Sequence, residues 1–445
     1  MENNERSIID GLMEDAEAAI AAGAVNKAKT IYTGILAIDS NHVLALRQLA
    51  IFALQDGRAH EALELFQRAL ELKKDDPDLY HGIGTALRQL GHTENAMLAF
   101  DGALRIDRHH HPALYDLALL YQKRRDFAAA DRLYERASMA RWNHFDSILN
   151  RGVVLYRQDK LPEAERWFHH AALLNDTDPR PLINLAMIYR VWGRLDAAVS
   201  CLKKAVSLDA ENPVAHWNLA NALLASGNLA DGFEEYEWRF RRPGRGMRSV
   251  DVPLWDGEPL SGKSILVTVE QGIGDAIHFV RFVADLADRG ASVVLECHPG
   301  TASLMTTARG VARTVTIGEK VEGINFHVPL MSIPHKIGLT FDAIPARVPY
   351  LSVPAGTREP VIASPGLKVG LVWRGNPQHE NDAQRSLPLS NFAPLLDREG
   401  ISFFSLQVGD VQSELESDAP GKITDLARGL KSFADTAAVV SALDL

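Results

Sequence analysis

Small and large apolar residues recur at a fixed interval through the first half of the chain. Positions one interval apart carry alanine or glycine: Ala28, Ala62, Ala96, Ala130, Ala164, Ala198 and Gly232. Four residues after each lies a large apolar residue: Tyr32, Phe66, Phe100, Tyr134, Phe168, Leu202 and Tyr236. Twelve residues before each lies another small one: Ala16, Ala50, Gly84, Ala118, Gly152, Ala186 and Ala220. Small residues let two helices approach closely, so the pattern predicts stacked helical hairpins.

The interval is about 34 residues, which is typical of the tetratricopeptide repeat. Seven consecutive matches predict such repeats over residues 1–240. Stacked repeats form an α superhelix whose concave face binds an extended protein or peptide.

Polar side chains recur two residues before the small residue of successive first helices, at Asp116, Asn150, Asn184 and Asn218. An amide can bind both the N–H and the C=O of a peptide, so these residues predict a partner-binding ladder. The alternative is that asparagine is simply common at this position in such repeats.

The periodicity ends in Arg239–Arg248, where five arginines among glycine and proline predict a linker at residues 241–260 rather than a phosphate site. An apolar run, Ile265–Val269, then predicts a buried strand. Helical spacing begins just after a glycine turn at residues 271–274. Strand, turn and helix predict a first Rossmann-like lobe at 261–355. A second apolar run, Leu367–Trp373, followed by a polar loop predicts a second lobe at 366–445.

Neither of two common nucleotide-binding motifs is present in or near the glycine turn. The dinucleotide fingerprint needs a third glycine where Ile277 stands. A Walker A string at residues 257–264 precedes a strand instead of following one, and Pro259 lies inside it. The turn does offer Asp275, which can cap the helix and is the one group in the loop able to accept a proton.

Composition narrows the classes of function. The 445 residues carry a net charge of −10, which argues against nucleic acid as the main partner. Cys201 and Cys297 lie in different regions and suggest neither a disulfide framework nor a metal site. No further ligand lies near His109-His110-His111, so we expect no metal there. Acidic, polar first residues and the absence of a long apolar run lead us to expect a cytoplasmic protein without a membrane span.

Three stretches resemble bacterial tetratricopeptide glycosyltransferase-like proteins of the heptosyltransferase (family 9) superfamily. They are Gln271–Arg281, Gly370–His379 and Phe433–Ala437. The plan is also similar to that of O-linked N-acetylglucosamine transferase. The resemblance implies a repeat superhelix followed by a two-lobed, Rossmann-like α/β fold of GT-B type. It further implies sugar transfer from a nucleotide-sugar donor to an acceptor, with no metal and no other cofactor.

By this resemblance Asp275 is the general base, since sugar transfer needs a group that takes the proton of the acceptor hydroxyl. The first lobe binds the acceptor, and its candidate residues are Gln271, Gly272, Gly274 and Arg281. The second lobe binds the donor, whose leaving diphosphate needs positive charge or N–H donors. The candidates there are Arg374, Asn376, His379 and Arg385.

Family members continue beyond Ala442–Leu445 into a further strand and the segments that hold the donor. We therefore expect an incomplete second lobe, with the region after Pro365 the least stable and little or no transfer by this chain alone. The alternative function is a non-catalytic tetratricopeptide scaffold that binds protein partners. A nucleotide-sugar epimerase is less favoured, because epimerases act on free small molecules and need no repeat array.

Overall fold

The computed structural model describes residues 2–358, 360–376, 378 and 382–445. These residues form two compact units, Met1–Ala222 and Leu223–Leu445. The first is helical, and most of the second combines parallel sheets with short helices.

Fourteen α-helices occupy the described residues up to Tyr236, which confirms the helical repeat array. In chain order they are α1 (Glu2–Ala21), α2 (Val25–Ile38), α3 (Val43–Gln55), α4 (Ala59–Leu72), α5 (Pro77–Gln89), α6 (Thr93–Ile106), α7 (His111–Lys123), α8 (Phe127–Ala140), α9 (Phe145–Arg157), α10 (Leu161–Leu174), α11 (Arg180–Val191), α12 (Leu195–Leu208), α13 (Pro213–Ala225) and α14 (Leu229–Tyr236). A 3-10 helix, Glu237–Arg241, follows α14 directly.

The recurring aromatic residues fill the space that the recurring small residues leave. Phe100 and Phe168 are almost fully buried. A methyl group on Gly84 would lie 2.5 Å from the Phe100 ring, and one on Gly152 would lie 2.5 Å from the Phe168 ring. Atoms of a packed core do not approach so closely, so these ring contacts explain the two glycines inside helices.

The boundary between the two units falls within α13. Phe233 of α14 packs against Phe279, with ring centroids 6.2 Å apart. The Tyr236 hydroxyl donates to Sδ of Met331 at 3.8 Å. The last helix of the repeats therefore belongs to the same compact unit as the α/β part of the chain.

The first sheet has four parallel strands in the order β3-β2-β1-β4, which confirms the predicted parallel arrangement. The strands are β1 (Ser264–Thr268), β2 (Ser292–Cys297), β3 (Val311–Thr316) and β4 (Phe326–Pro329). The helices are α15 (Ile273–Phe279), α16 (Val283–Asp288), α17 (Ala302–Met305) and α18 (Ile333–Lys336). Leu254, from the segment predicted as a linker, forms a parallel bridge with His327 of β4, and the neighbouring Trp255 is 1% exposed. Part of that segment thus extends the first sheet.

The second sheet has three parallel strands in the order β5-β6-β7. They are β5 (Leu367–Leu371), β6 (Ile401–Ser405) and β7 (Ile423–Asp425). The helices around it are α19 (Asp382–Arg385), α20 (Ala393–Leu396), α21 (Gln412–Asp418) and α22 (Phe433–Ser441). Asp444 N–H donates to Lys368 O at 2.9 Å, and Gly370 N–H donates to Leu445 O at 2.8 Å. Residues 444–445 thus pair with the edge of β5 that β6 leaves open.

Candidate functional site

The glycine turn joins β1 to α15 as the sequence predicts, and Asp275 lies in the first turn of that helix. The Asp275 carboxylate accepts the backbone N–H of Gly272 at 3.1 Å and is exposed to solvent. A side chain on Gly274 would meet no atom within 4 Å, so packing does not require glycine there. Gly274 and Asp275 are both exposed at the head of α15, where the carboxylate serves as a helix cap.

The other two residues predicted for the acceptor lie close by in sequence but differ in their surroundings. Gln271 is half-buried in the turn itself. Arg281 follows α15, and its guanidinium lies 4.2 Å from the centre of the Tyr350 ring. Its Nε also donates to His278 O at 3.0 Å. The structure thus gives Arg281 a stacking contact that the sequence did not predict.

A buried ion pair lies directly before this turn, and the sequence analysis missed it. Arg239 is 4% exposed and donates to Oε1 of Glu270 at 2.7 and 3.1 Å. Burial raises the pKa of the Glu270 carboxyl, although Arg239 acts in the opposite direction. Interpreting Arg239 as part of a solvated linker was wrong, because the side chain is anchored among Glu237, Glu270 and Ser332. The available signal was a glutamate placed just after an apolar strand.

The loop after β5 brings together two of the residues predicted to bind the donor. Gly375 N–H donates to the Ser386 hydroxyl at 2.9 Å, which folds the loop back on itself. A methyl group on Gly375 would lie 3.2 Å from Nε of Arg385, so the Arg385 guanidinium lies over the backbone that follows Arg374. Asn376 accepts the N–H of Gln378 at 2.9 Å, which marks a local turn. His379 lies outside the described residues.

Further polar residues at this edge were not predicted. Arg374 donates to Asp410 O at 3.0 Å and lies 3.4 Å from the Glu414 carboxylate. A cavity of about 190 Å³ is lined by residues of the loop after β6, by Asp425 at the end of β7 and by Arg428 just beyond it. Arg428 pairs with Asp425 at 3.0 Å. These groups follow the carboxyl ends of parallel strands, which is where α/β sheets place ligands.

The carboxyl edges of the two sheets are in contact. Phe433 N–H, at the start of α22, donates to Gly300 O at 3.1 Å. Gly300 follows β2, and Phe433 follows β7. Loops that follow strands of both sheets therefore meet within the second unit.

The predicted ladder residues differ in their bonding. Asp116 lies 2.7 Å from Nε2 of His81, and Asn150 donates to the Tyr115 hydroxyl at 3.3 Å. Asn218 donates to the Val214 carbonyl one turn earlier at 2.8 Å. The amide of Asn184 is half-buried, and no partner for it lies among the described residues. Three of the four side chains thus bind atoms of the array itself.

The three adjacent histidines each have a contact within the protein. His110 caps α7 by accepting the N–H of Ala113 at 3.3 Å. His111 lies 3.2 Å from the Ser147 hydroxyl, and His109 lies 2.8 Å from Nε of Arg108. Within the described ranges, no group of three or more His, Cys, Asp or Glu side chains is placed to hold a metal ion. None of the helices described is long and apolar enough to span a membrane.

Family models for the tetratricopeptide repeat match residues 19–87, 77–110, 115–179 and 186–227. Residues 19–110, 115–179 and 186–227 of the chain therefore match tetratricopeptide repeats. The chain is similar to Protein FlbA of Caulobacter vibrioides, with 24% identity covering 92% of this chain and 78% of FlbA.

Two further relatives of this repeat protein are matched over a smaller part of their length. One is the probable UDP-N-acetylglucosamine–peptide N-acetylglucosaminyltransferase SPINDLY of Hordeum vulgare, 26% identical over 30% of this chain and 16% of that protein. The other is the protein O-mannosyl-transferase TMTC3 of Homo sapiens, 24% identical over 41% of this chain and 20% of that protein. The chain therefore spans a fifth or less of either protein.

Solved repeat structures also resemble the chain. YrrB, described as a tetratricopeptide repeat protein with an unusual peptide-binding site, is 23% identical and covers 40% of this chain and 91% of its own, with a TM-score of 0.36. The APC/C hetero-tetramer Cut9–Hcn1 is 17% identical over 51% of this chain and 45% of that one, with a TM-score of 0.42.

Proposed function

We propose that this protein binds a polypeptide through its repeats and transfers a sugar to it from a nucleotide-sugar donor in its α/β unit. One observation carries the proposal: the hydrogen bond between Phe433 and Gly300 joins the carboxyl edges of the two parallel sheets. Ligands of such sheets bind at those edges. A transferase must hold its donor and its acceptor next to each other. Two sheets whose carboxyl edges meet can each bind one of these substrates there.

The donor edge supplies positive charge in the proposed reaction. Arg374 and Arg385 flank the backbone of Gly375 at the end of β5. A diphosphate leaving group carries negative charge that guanidinium groups and backbone N–H donors stabilise. The GT-B fold type and the absence of a metal requirement belong to this proposal, as does a role for Asn376 and His379.

The acceptor edge supplies the base. Asp275 is the exposed carboxylate of the glycine turn, and Gly272, Gly274 and Gln271 surround it in sequence. A carboxylate can take the proton of an acceptor hydroxyl as that hydroxyl attacks the anomeric carbon. The names of the Hordeum vulgare and Homo sapiens relatives describe sugar transfer to peptides or proteins, which supports a polypeptide acceptor.

The decisive experiment compares two aspartate variants of the full chain in a sugar-transfer assay with candidate protein acceptors. Asp275→Asn keeps much of the helix cap but cannot accept a proton, so transfer should fall by about two to four orders of magnitude. Asp126→Asn is the matched control, because Asp126 caps α8 by accepting the Ala129 N–H at 3.0 Å. The control should stay within about threefold of wild type, since a cap contributes about 1 kcal/mol. Equal activities of the two variants would remove Asp275 from the mechanism.

A non-catalytic scaffold is the second candidate, and the position of Asp275 favours it. The carboxylate already accepts a backbone N–H and caps α15, which accounts for its presence without chemistry. A scaffold binds its protein partner and leaves every nucleotide sugar intact. Mass spectrometry of donor and acceptor after incubation with the full chain distinguishes the two functions.

The repeat side of the proposal has its own test. Replacing Asn150, Asn184 and Asn218 together by alanine should weaken binding of a protein partner at least tenfold, because each amide can pair with peptide backbone. The melting temperature should change little if the side chains face the partner. A large loss of stability with unchanged affinity would instead assign them to packing, as the contacts of Asn150 and Asn218 allow.

A further inference from the structure

Two segments without regular secondary structure pack against one face of the first sheet. The residues that form this apolar layer are Leu266, Val294 and Val315 on the strands, with Val250, Val321 and Ile324 packed against them. Val250 belongs to segment 248–252, and Val321 and Ile324 belong to segment 318–324. Both segments and the sheet together line a cavity of about 430 Å³.

Glu296 places a carboxylate in the wall of this cavity. It lies on β2 and is 1% exposed. Oε1 accepts a hydrogen bond from Arg248 at 2.6 Å and another from Gly318 N–H at 3.2 Å, and both donors also line the cavity. Oε2 is buried and has no hydrogen-bond partner among the described residues. A buried carboxylate oxygen that accepts no hydrogen bond is costly, so Oε2 is a strong acceptor for a donor that enters.

The charges around the cavity favour a cation. Its lining contains the acidic residues Asp251, Glu296, Glu319 and Glu322 against the basic residues Arg248 and Lys320. Four carboxylates against two cations leave a net charge of −2. Leu266, Val321 and Ile324 contribute apolar surface to the same lining. A ligand that combines a positive group with a short apolar chain matches both properties.

We propose that this cavity binds a primary ammonium group carried on a short apolar chain, with Oε2 of Glu296 as its main acceptor. An ammonium group offers three N–H donors and no acceptor, and a hydrogen bond between ionised groups is about twice as strong as a neutral one. The apolar chain packs on Leu266 and Val321. The group belongs either to a free alkylamine or to a lysine side chain of another protein. Neither Asp275 nor the loop after β5 takes part.

Calorimetric titration of the full chain tests the site with three probes at neutral pH. They are n-pentylamine, Nα-acetyl-lysine N-methylamide and the uncharged 1-pentanol. At least one amine should bind with a Kd of about 1 mM or tighter, and the alcohol should bind at least about tenfold more weakly. Tighter binding of the lysine derivative identifies a protein side chain as the ligand, and tighter binding of pentylamine identifies a free amine. Equal binding of amine and alcohol, or no amine binding, overturns the proposal.

Three variants separate the site from general charge effects. Glu296→Gln keeps the size of the side chain and should weaken amine binding at least about tenfold. Val321→Phe fills the cavity from segment 318–324 and should abolish binding even if Glu296→Gln fails to fold. Glu322→Gln is the matched control, because it removes the same charge from an exposed lining residue and should change the Kd by no more than about twofold. Thermal unfolding confirms that each variant folds. Wild-type affinity in a folded Glu296→Gln or Val321→Phe protein contradicts the assignment.

Discussion

Arg239 is a charged residue that the fold buries almost completely. Its guanidinium donates to the carboxylates of Glu237 and Glu270 and to the Ser332 hydroxyl, and it lies 3.9 Å from the centre of the Phe240 ring. Burying a guanidinium is costly unless its N–H groups are satisfied. The three acceptors meet that condition, so removal of the arginine would leave two carboxylates without their cation.

Replacing Arg239 by methionine should destabilise the second unit by about 3–5 kcal/mol, because it leaves the buried Glu270 carboxylate uncompensated. Denaturant unfolding monitored by tryptophan fluorescence measures this loss. Adding Glu270→Gln to the same chain should restore part of it. Arg245→Met is the matched control, since Arg245 is exposed, and its effect should stay within about 0.5 kcal/mol. Equal stability of the Arg239 and Arg245 variants would contradict a structural role for the pair.

The sequence predicted where a side chain lies in a local motif better than it predicted the burial and the bonding partners of that side chain. Asp275 lies at the head of the helix where the glycine turn predicts it, because strand, turn and helix are local features. Arg239 could not be distinguished from its arginine neighbours, since its burial depends on Glu270 and Ser332, 31 and 93 residues away. The same holds for Glu296, whose partner Arg248 lies 48 residues earlier.

At the scale of elements, one position at the start of successive first helices is occupied by a capping side chain. His42, Asp76, His110 and His144 each accept a backbone N–H from the first turn of α3, α5, α7 or α9. They recur at the interval of the repeat. Imidazole accepts a hydrogen bond only through an unprotonated nitrogen, and a positive charge is unfavourable at a helix N-terminus. Burial also lowers the pKa of His144, so its cap at the start of α9 responds to acid.

The repeat array should lose stability between pH 7 and pH 4. Burial lowers the pKa of His111 to about 4, with His144 and Arg141 adding to the effect, and burial also lowers the pKa of His144. A folded-state pKa below the unfolded value of about 6.5 means that the neutral form stabilises the fold above that pH. This contribution is lost as the pH falls through the folded-state values. Circular dichroism should show a melting temperature lower by about 5 °C at pH 5 than at pH 7.

One variant separates the contribution of His144 to the pH dependence of stability from that of other titrating groups. His144→Asp keeps a capping acceptor, as Asp76 does at the same position, but does not titrate between pH 5 and pH 7. Its melting temperature should therefore depend less on pH than that of the wild type. An identical pH dependence in both proteins would show that the His144 cap is not responsible.

Two helix glycines give a paired test of close packing between elements. Gly152→Ala should destabilise the array by about 1–3 kcal/mol, because the new methyl group would meet the Phe168 ring at 2.5 Å. Gly34→Ala should instead stabilise it by about 0.5–1 kcal/mol, since nothing lies within 4 Å of that Cβ and alanine favours a helix. Thermal unfolding compares the two. Effects of the same sign would contradict the ring contact as the reason for glycine.

Elements with strong periodicity were predicted, and short ones were missed. β1 and β5 are apolar strands followed by polar loops, and both lie where the sequence places them. β4 was not predicted, because it covers only Phe326–Pro329 and lies next to segments that proline marks as loops. Its assignment depends on pairing with β1, a contact between residues far apart in the chain such as Ile265 and Phe326.

For the whole molecule, the sequence predicted a helical array followed by parallel sheets, and the structure divides the chain into two compact units. The position of the division could not be predicted from periodicity, since α14 fits the repeat pattern and yet packs with the α/β part. Inside the second unit, residues 243–249 are exposed and lie outside any helix or strand.

Limited trypsin digestion should first cut the native protein at Arg245. Exposed segments without regular structure are preferred sites of proteolytic cleavage. Arg239, only six residues earlier, should resist because it is buried and lies in a 3-10 helix. Mass spectrometry of the first products should therefore give a fragment ending at residue 245. Early cleavage after Arg239 would show that its ion pair opens readily in the native protein.

The shared period of the capping, small and aromatic positions also bears on how such an array changes during evolution. Each repeat meets the next through equivalent positions, so removing or duplicating one whole repeat rejoins surfaces that already match. A deletion of any other length shifts these positions relative to the next repeat. A capping residue would then lie where a core residue belongs, and an aromatic ring would meet a large side chain instead of a small one. Related genes should therefore differ in this region by whole repeats, with intermediate lengths removed by selection.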